Sequence, residues 1–516
     1  MVSRVTGFAR IAVIAAVLGP TYLGSLFLAI TFLPVLALQF LAGSLIGSLL
    51  IPSLVSCIDR RDREATDEIV GGFLGVALIG FGAVALLAII AAPVIVGILT
   101  LGVEDRAAAS DQMRIGWLLM ALTMPQLLLY GMAIIGGAVM NAHGQFRLAA
   151  FAPVVENTGV MAVMVAVAVV YGGGADIGSL PTGQLLLLGL GSTGAVALHA
   201  GLVMWGARRA GPRMVPRLGW RIPAVRVLLR RLAASLGQSG FAALRLFAML
   251  ALANTVIGGV VALRLALNFL YLPVQVGARP VALTMLPTLA RLHEAGEADS
   301  LRDEYTRGVA LVCFIAVPAA VAYLALARPL ADALSFGAMA GSAGPSLVAA
   351  CLAGLAVAVV AESAFQFFTY VSYARNDARS PFVATVAGTA ITLAALPLAL
   401  ILNGGAALLA IGLAMSAGAS FSAWYLRRRL VDRLPSAHVS AAQSVLRTSA
   451  ASAAMAAPAY LSAVSVAAAV DGPLGAALGV LSAAILGIAT FVALQRYWDS
   501  PELMFFSRGL RRLGER

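Results

Sequence analysis

The 516-residue sequence contains no lysine, three cysteines and four histidines, and only 11% of its residues are charged. So little charge, with 61% apolar residues against the roughly 45–50% of soluble domains, excludes a soluble globular protein. Cys57, Cys313 and Cys351 lie far apart without a CxxC spacing, which excludes a disulfide framework and a thiolate metal site. With lysine absent, the net charge of +12 comes wholly from arginine. Those arginines gather in a few loops, a pattern that reports membrane topology and not nucleic-acid binding. P-loop, GxSxG and HExxH motifs are missing, as is an acidic pair in an outer loop placed for sugar transfer. The chain is therefore read as neither an enzyme nor a primary pump, and no cofactor or metal is expected.

Long apolar runs fill the space that these absences leave. Divided at charged or Gly/Pro-rich breaks, they give about fourteen membrane helices, among them single spans at 22–54, 68–101, 114–141 and 307–336. The first run is read as a helix and not a cleaved signal peptide, because Arg10 interrupts it and apolar sequence resumes at once. Kinks are expected at Pro34 and Pro273. Arg60, Arg61 and Arg63, the cluster from Arg208 to Arg231, and Arg427 to Arg429 with Arg433 all fall in even-numbered loops, which puts both termini on the cytoplasmic side.

An internal repeat of about 235 residues pairs Gly24 with Gly258, Pro52 with Pro287 and Pro93 with Pro329. The expected fold is thus an all-α polytopic membrane protein. Residues 1–207 and 232–430 form two six-helix lobes. Residues 208–231 make a basic amphipathic cytoplasmic linker, 431–498 an additional helix pair, and 499–516 a basic tail.

Within the eighth run, Arg264, Asn268, Tyr271, Gln275 and Arg279 fall within roughly 80° of one another over about 22 Å of helix axis. Inserting each arginine against lipid would cost on the order of 3 kcal/mol. The stripe has two readings: it lines a watery or protein-walled cavity suited to an anion, or its arginines snorkel to opposite faces or pair with an acidic neighbour. Arg4, Arg10 and Arg245 are further candidates for anion contact, with an interfacial anchor as the alternative reading of Arg4; Arg245 shares a helix face with Gln238. Glu362, with Gln366, Thr369 and Tyr373 on one face, either couples an ion to transport or neutralises Arg245 or Arg264. Glu156 is placed near the cytoplasmic end of its helix, where hydration satisfies it. His199 has no second ligand at helical spacing and is read as a packed residue.

Ser3-Arg4-Val5-Thr6-Gly7-Phe8-Ala9-Arg10 resembles the SRxxGxxR opening of the MurJ (MviN) lipid II flippases of the MOP exporter superfamily. Gly137 to Asn141, Phe146, and Ala150-Phe151-Ala152-Pro153 with Asn157 resemble that family's GAxxN…F…AFAPxxxN stretch. Leu33-Pro34 with Ile51-Pro52, and Leu272-Pro273 with Leu286-Pro287, are similar to its proline pairs. The resemblance covers essentially the whole chain. It implies fourteen helices, two lobes around a cationic cavity that alternates between membrane faces, and a terminal pair forming a lipid-facing groove. The implied activity is transfer of an undecaprenyl-pyrophosphate-linked cell-wall precursor across the bacterial inner membrane, in service of peptidoglycan synthesis and cell shape. The expected partners are that lipid-linked glycan, membrane lipids and cell-wall synthesis enzymes, with no nucleic acid and the chain a monomer.

The departures fall on the family's arginines. Ala37-Leu38-Gln39 stands where an arginine pair is usual, Ala42-Gly43-Ser44 replaces Ala-Glu-Gly, and Ile11 replaces an aspartate. Asn268 occupies a usual arginine position, with Arg264 one turn earlier on the same face. The alternatives kept open are an ion-coupled drug antiporter of the same superfamily, using Glu362, and a transport-inactive scaffold of envelope synthesis.

Overall fold

The computed structural model describes residues 2–41, 45–220, 222–432 and 441–506. The expected Ala42-Gly43-Ser44 site, Arg221, Arg433 and the basic tail beyond Phe506 lie outside the described residues, as do the side chains of Arg230, Arg231 and Gln238. The described residues form helices and no strand. Twelve helical spans among them are long and apolar enough to cross a membrane, and Leu50–Asp59 and Ser239–Ala253 are shorter apolar helices. The chain is a multi-pass membrane protein.

Two compact units divide it, Met1–Val261 and Ala262–Arg516. The first opens with α1 (Val2–Leu18), α2 (Tyr22–Leu41) and α3 (Leu45–Asp59). The run expected as one helix over 22–54 is thus two helices, and α2 continues through Pro34 without interruption. Next come α4 (Arg63–Ile90) and α5 (Ala92–Thr100), again two where one was expected, with Pro93 in the first turn of α5. Proline is tolerated there because its missing N–H has no intrahelical partner to lose. Helices α6 (Arg106–Thr123) and α7 (Gln126–Ala142) meet in a turn at Pro125 within one span, in keeping with the single run expected over 114–141, and there the Thr193 hydroxyl donates to the Leu122 carbonyl at 2.7 Å. The unit finishes with α8 (Phe146–Tyr171), α9 (Thr182–Arg209) and α10 (Pro223–Ala253). Helix α10 packs on α2 to α5. At its end Asn254 Nδ2 donates to Gln112 Oε1 at 2.8 Å and to the Leu99 carbonyl at 2.9 Å, satisfying buried polar groups.

Between α9 and α10 residues 211–220 form a non-helical strap. Its backbone lies on a glycine face of α4. The Arg217 N–H donates to the Gly71 carbonyl at 2.9 Å, and a Cβ on Gly75 would collide with the Arg217 carbonyl. Leu218 and Trp220 are left exposed beside Arg213 and Arg217.

The second unit contains most of α11 (Gly259–Pro273), a π turn over Val274–Ala278, and α12 (Arg279–Glu294). Then come α13 (Ala298–Ala325), α14 (Ala327–Ala333), α15 (Gly344–Ala374) and α16 (Arg379–Ala395). The unit closes with α17 (Gly404–Val431), α18 (Ala441–Ala469) and α19 (Gly472–Tyr497). Its core joins Ala282, Met285 and Leu289 of α12 to Leu301 and Tyr305 of α13, Phe367 and Phe368 of α15, and Leu426 of α17. Phe314 of α13 meets Phe491 of α19 edge-on at 5.2 Å, which seats the terminal pair on this unit. The outer faces of that pair expose Leu461, Leu481, Ile485 and Ile488, as lipid contact requires.

The repeat read from the sequence recurs in the helix boundaries. Helices α4 and α13 are both 28 residues long, and each is succeeded after one residue by a short helix, α5 or α14. The offset from Arg63 to Ala298 equals that from Ile90 to Ala325, about 235 residues.

Lipid offers no hydrophobic drive for helices to associate, so small residues govern the contacts. Helices α15 and α17 cross at Gly354 and Gly412: Ser416 Oγ donates to the Gly354 carbonyl at 2.7 Å, and a Cβ on Gly412 would lie 2.8 Å from the Gly354 carbonyl carbon. Gly412→Leu must push backbone from backbone, and the expected loss is about 1–3 kcal/mol. Thermal melting in detergent should show it, with Gly404→Ala, which meets no neighbour, as a measure of backbone strain alone.

Candidate functional site

The stretch from Gly259 to Glu294 is the most buried of the twelve spans, 67% of its window lying inside the protein. From Gly258 to Leu270 every residue is buried except Arg264 and Asn268. Tyr271, Leu272, Gln275 and Arg279 continue the half-buried strip, while Ala266 on the far side is fully buried. Up to Leu270 the accessible residues of this enclosed apolar helix are thus its polar ones, whereas beyond Pro273 Val276, Pro280 and Leu283 are exposed as well. A lipid-facing edge would be apolar.

The stripe is held by its own bonds. Asn268 Nδ2 donates to the Arg264 carbonyl at 3.0 Å, which fixes the amide along the helix. Arg279 donates to Gln275 Oε1 at 3.2 Å. Pro273, where a kink is expected, is succeeded by the π turn, since proline cannot donate the bond that would continue the α ladder. An inserted residue rotates the downstream helix by roughly 100° relative to an unbroken α-helix. Arg279 sits at one edge of the expected stripe, so this rotation carries it to the other edge and the five side chains still share a face. Gly277 makes the turn possible: a Cβ there would lie 2.6 Å from Ile315 of α13.

The other expected residues sit on three further helices. Arg4 is exposed near the start of α1, Arg245 is half-buried on α10, and Glu362 is half-buried on α15 beside half-buried Gln366. Thr369 of the same expected face is buried, its hydroxyl returned to the Phe365 carbonyl at 2.8 Å.

In the first unit the structure corrects two readings. Glu156 is not satisfied by hydration, and His199 is not a solitary packed residue. Glu156 is 6% exposed and accepts from three other helices: Arg10 of α1 at 2.9 Å, Tyr130 of α7 at 2.9 Å, and His199 of α9 at 2.7 Å. Arg10, expected as an anion contact, thus holds an ion pair with a side chain that remains about a quarter exposed. The neighbouring Asn157 binds the start of α1, donating to the Ser3 carbonyl at 3.2 Å and the Thr6 hydroxyl at 3.0 Å. The Ser3-to-Arg10 motif and the Ala150-to-Asn157 motif are therefore two sides of one helix contact. The signal for the cluster was present: Glu156, His199 and Arg10 all interrupt apolar runs, and an intramembrane charge must find a partner.

Thiol labelling reads the stripe directly. Single cysteines at positions 264, 268 and 275 are expected to react with a water-soluble thiol reagent at least tenfold faster than one at 266, which is fully buried. Equal rates would remove the stripe from an aqueous path.

Comparison with known proteins gives these features a family. A protein from Synechocystis described as a probable lipid II flippase MurJ is 24% identical over 345 residues, 64% of this chain and 61% of that protein. A relative from Rhizobium tropici with the same description is 25% identical over 394 residues, 75% of this chain and 71% of its own length. The chain thus aligns with less than two thirds of the Synechocystis relative and just over two thirds of the Rhizobium one. Among solved structures, lipid II flippase MurJ in an inward closed conformation matches with a TM-score of 0.73 at 15% identity, covering 96% of this chain and 97% of that one. An inward-facing multidrug-resistance MATE transporter of the MOP superfamily matches with a TM-score of 0.64 at 14% identity, over 83% of this chain and 95% of its own. At those identities the likeness speaks for the fold. The family model described as lipid II flippase MurJ matches residues 14–471, nearly the whole membrane-spanning region, and the chain belongs to that family.

Proposed function

We propose that the chain translocates an undecaprenyl-pyrophosphate-linked cell-wall precursor, lipid II or a related lipid-linked glycan, across the cytoplasmic membrane by alternating access. The observation that carries this reading is the polar stripe. A pyrophosphate cannot cross hydrocarbon unaided, and arginine offers planar, bidentate recognition of its oxygens. Arg264 and Arg279 stand at either end of a stripe whose middle, Asn268 and Gln275, supplies hydrogen bonds without further charge. Arg4, Arg10 and Arg245, all of the first unit, are proposed as further anion contacts. The relatives' description as lipid II flippases supports the substrate class. Cations on the accessible edge favour an anionic cargo over the cationic drugs that an antiporter working through Glu362 would take.

Both termini are assigned to the cytoplasm on the loop arginines, with the 208–231 segment on the inner leaflet as a link between lobes 1–207 and 232–430. Expression in a bacterium depleted of its own lipid II flippase is the test. Restored growth and cell shape support the reading; continued lysis, with the chain present in the membrane at normal level, overturns it.

A further inference from the structure

The cluster at Glu156 does more than neutralise a charge. Its members come from the three helices packed on α8, with Arg10 from α1, Tyr130 from α7 and His199 from α9, and they are the ionisable groups that bond to Glu156. Glu156, paired with a guanidinium, is a carboxylate and can only accept. The nitrogen facing it at 2.7 Å, His199 Nδ1, must therefore be the donor, and Nε2 is the imidazole's vacant basic position. With a neutral imidazole the four side chains sum to zero charge.

We propose that His199 Nε2 is a proton-binding site linked to anion binding at Arg10. The proposal rests on the reading that this chain binds a lipid pyrophosphate. Arg10 is more exposed than either of the cluster's other charged or basic side chains, 24% against 9% for Glu156 and 12% for His199, so an anion reaches the cluster through it. When a phosphate oxygen takes the guanidinium's bonds, Glu156 becomes an uncompensated carboxylate in a low-dielectric site, which is costly. A proton from water on Nε2 converts His199 to imidazolium, whose Nδ1–H already points at Glu156. Neutrality of the pair is restored without moving a helix. By linkage, whatever binds at Arg10 draws a proton to His199, and protonation of His199 strengthens anion binding by the same factor. Binding that takes up a proton is favoured at low pH and weakens as pH rises.

The test is calorimetric titration of the purified full chain in detergent with farnesyl pyrophosphate, in two buffers of different ionisation enthalpy, from pH 5.5 to 8. The expected result is that wild type takes up as much as one more proton per bound probe than His199→Gln. Over each pH unit in which that extra proton is taken up, wild-type affinity should fall as much as tenfold relative to that variant. Tyr130→Phe, which removes a donor to the same carboxylate but leaves the imidazole, should keep the wild-type proton uptake. Equal proton uptake by wild type and His199→Gln overturns the linkage, and so does a loss in Tyr130→Phe as large as that in His199→Gln. Failure of wild type to bind the probe at any pH strikes the flippase reading itself, and the linkage with it.

Discussion

Arg264→Ala is expected to lower translocation at least tenfold while the chain still inserts and folds. Removing a cation from a membrane helix adds no insertion penalty. The backbone carbonyl that holds Asn268 is kept in the variant, so the stripe loses a charge and not its geometry. Arg264→Lys should recover only part of the activity, because an ammonium is a point charge and cannot grip a phosphate with two parallel N–H bonds. Transplanting the arginine gives the sharper contrast. In the double variant Arg264→Ala with Ala266→Arg, the cation moves about 200° around the helix to a position that is fully buried. That variant should be inactive and poorly folded, whereas Arg264→Ala should purify at wild-type yield. Wild-type translocation by Arg264→Ala would remove the stripe from the substrate path.

Glu156→Ala is expected to carry the largest stability loss of any single polar substitution proposed for the first unit, about 3 kcal/mol, at the low end for a broken buried ion pair because Arg10 keeps some solvent. Three donors on three helices lose their acceptor together, and the Arg10 cation is left without its counter-ion. Removing Arg10 as well should restore part of the loss, since the uncompensated charge goes with it. A melting series in detergent on Glu156→Ala, Arg10→Ala and the pair gives the coupling directly. Strict additivity would show that the ion pair contributes nothing to the packing of α1 on α8.

The legibility of this protein in its sequence tracks the reach of helical spacing. Arg264, Asn268 and Tyr271 lie on one continuous α-helix, so their common face could be counted from the residue numbers. The π turn after Pro273 could not, because proline announces a defect without saying which one forms. Boundaries failed wherever a proline or a small residue divides an apolar run. Pro93 marks a break inside a stretch that hydropathy alone joins. The residues of the Glu156 cluster stood out as polar breaks in apolar runs, but their pairing was out of reach for a different reason. Arg10 and Glu156 are separated by 146 residues and His199 and Glu156 by 43. Spacing reports which residues share a helix face, and is silent on which helices meet. The 235-residue repeat was readable because duplicated boundaries leave prolines and glycines at matching places.

The central claim is that this chain carries a polyprenyl-pyrophosphate lipid across a bilayer by way of the stripe. The most direct measurement is translocation of fluorescent lipid II in proteoliposomes holding either the wild-type chain or Arg264→Ala at equal protein content. The account predicts that the wild type exposes lipid II to an external quencher well above protein-free vesicles, and that Arg264→Ala falls to near their level. Wild-type vesicles indistinguishable from protein-free ones, or Arg264→Ala as active as the wild type, would contradict it.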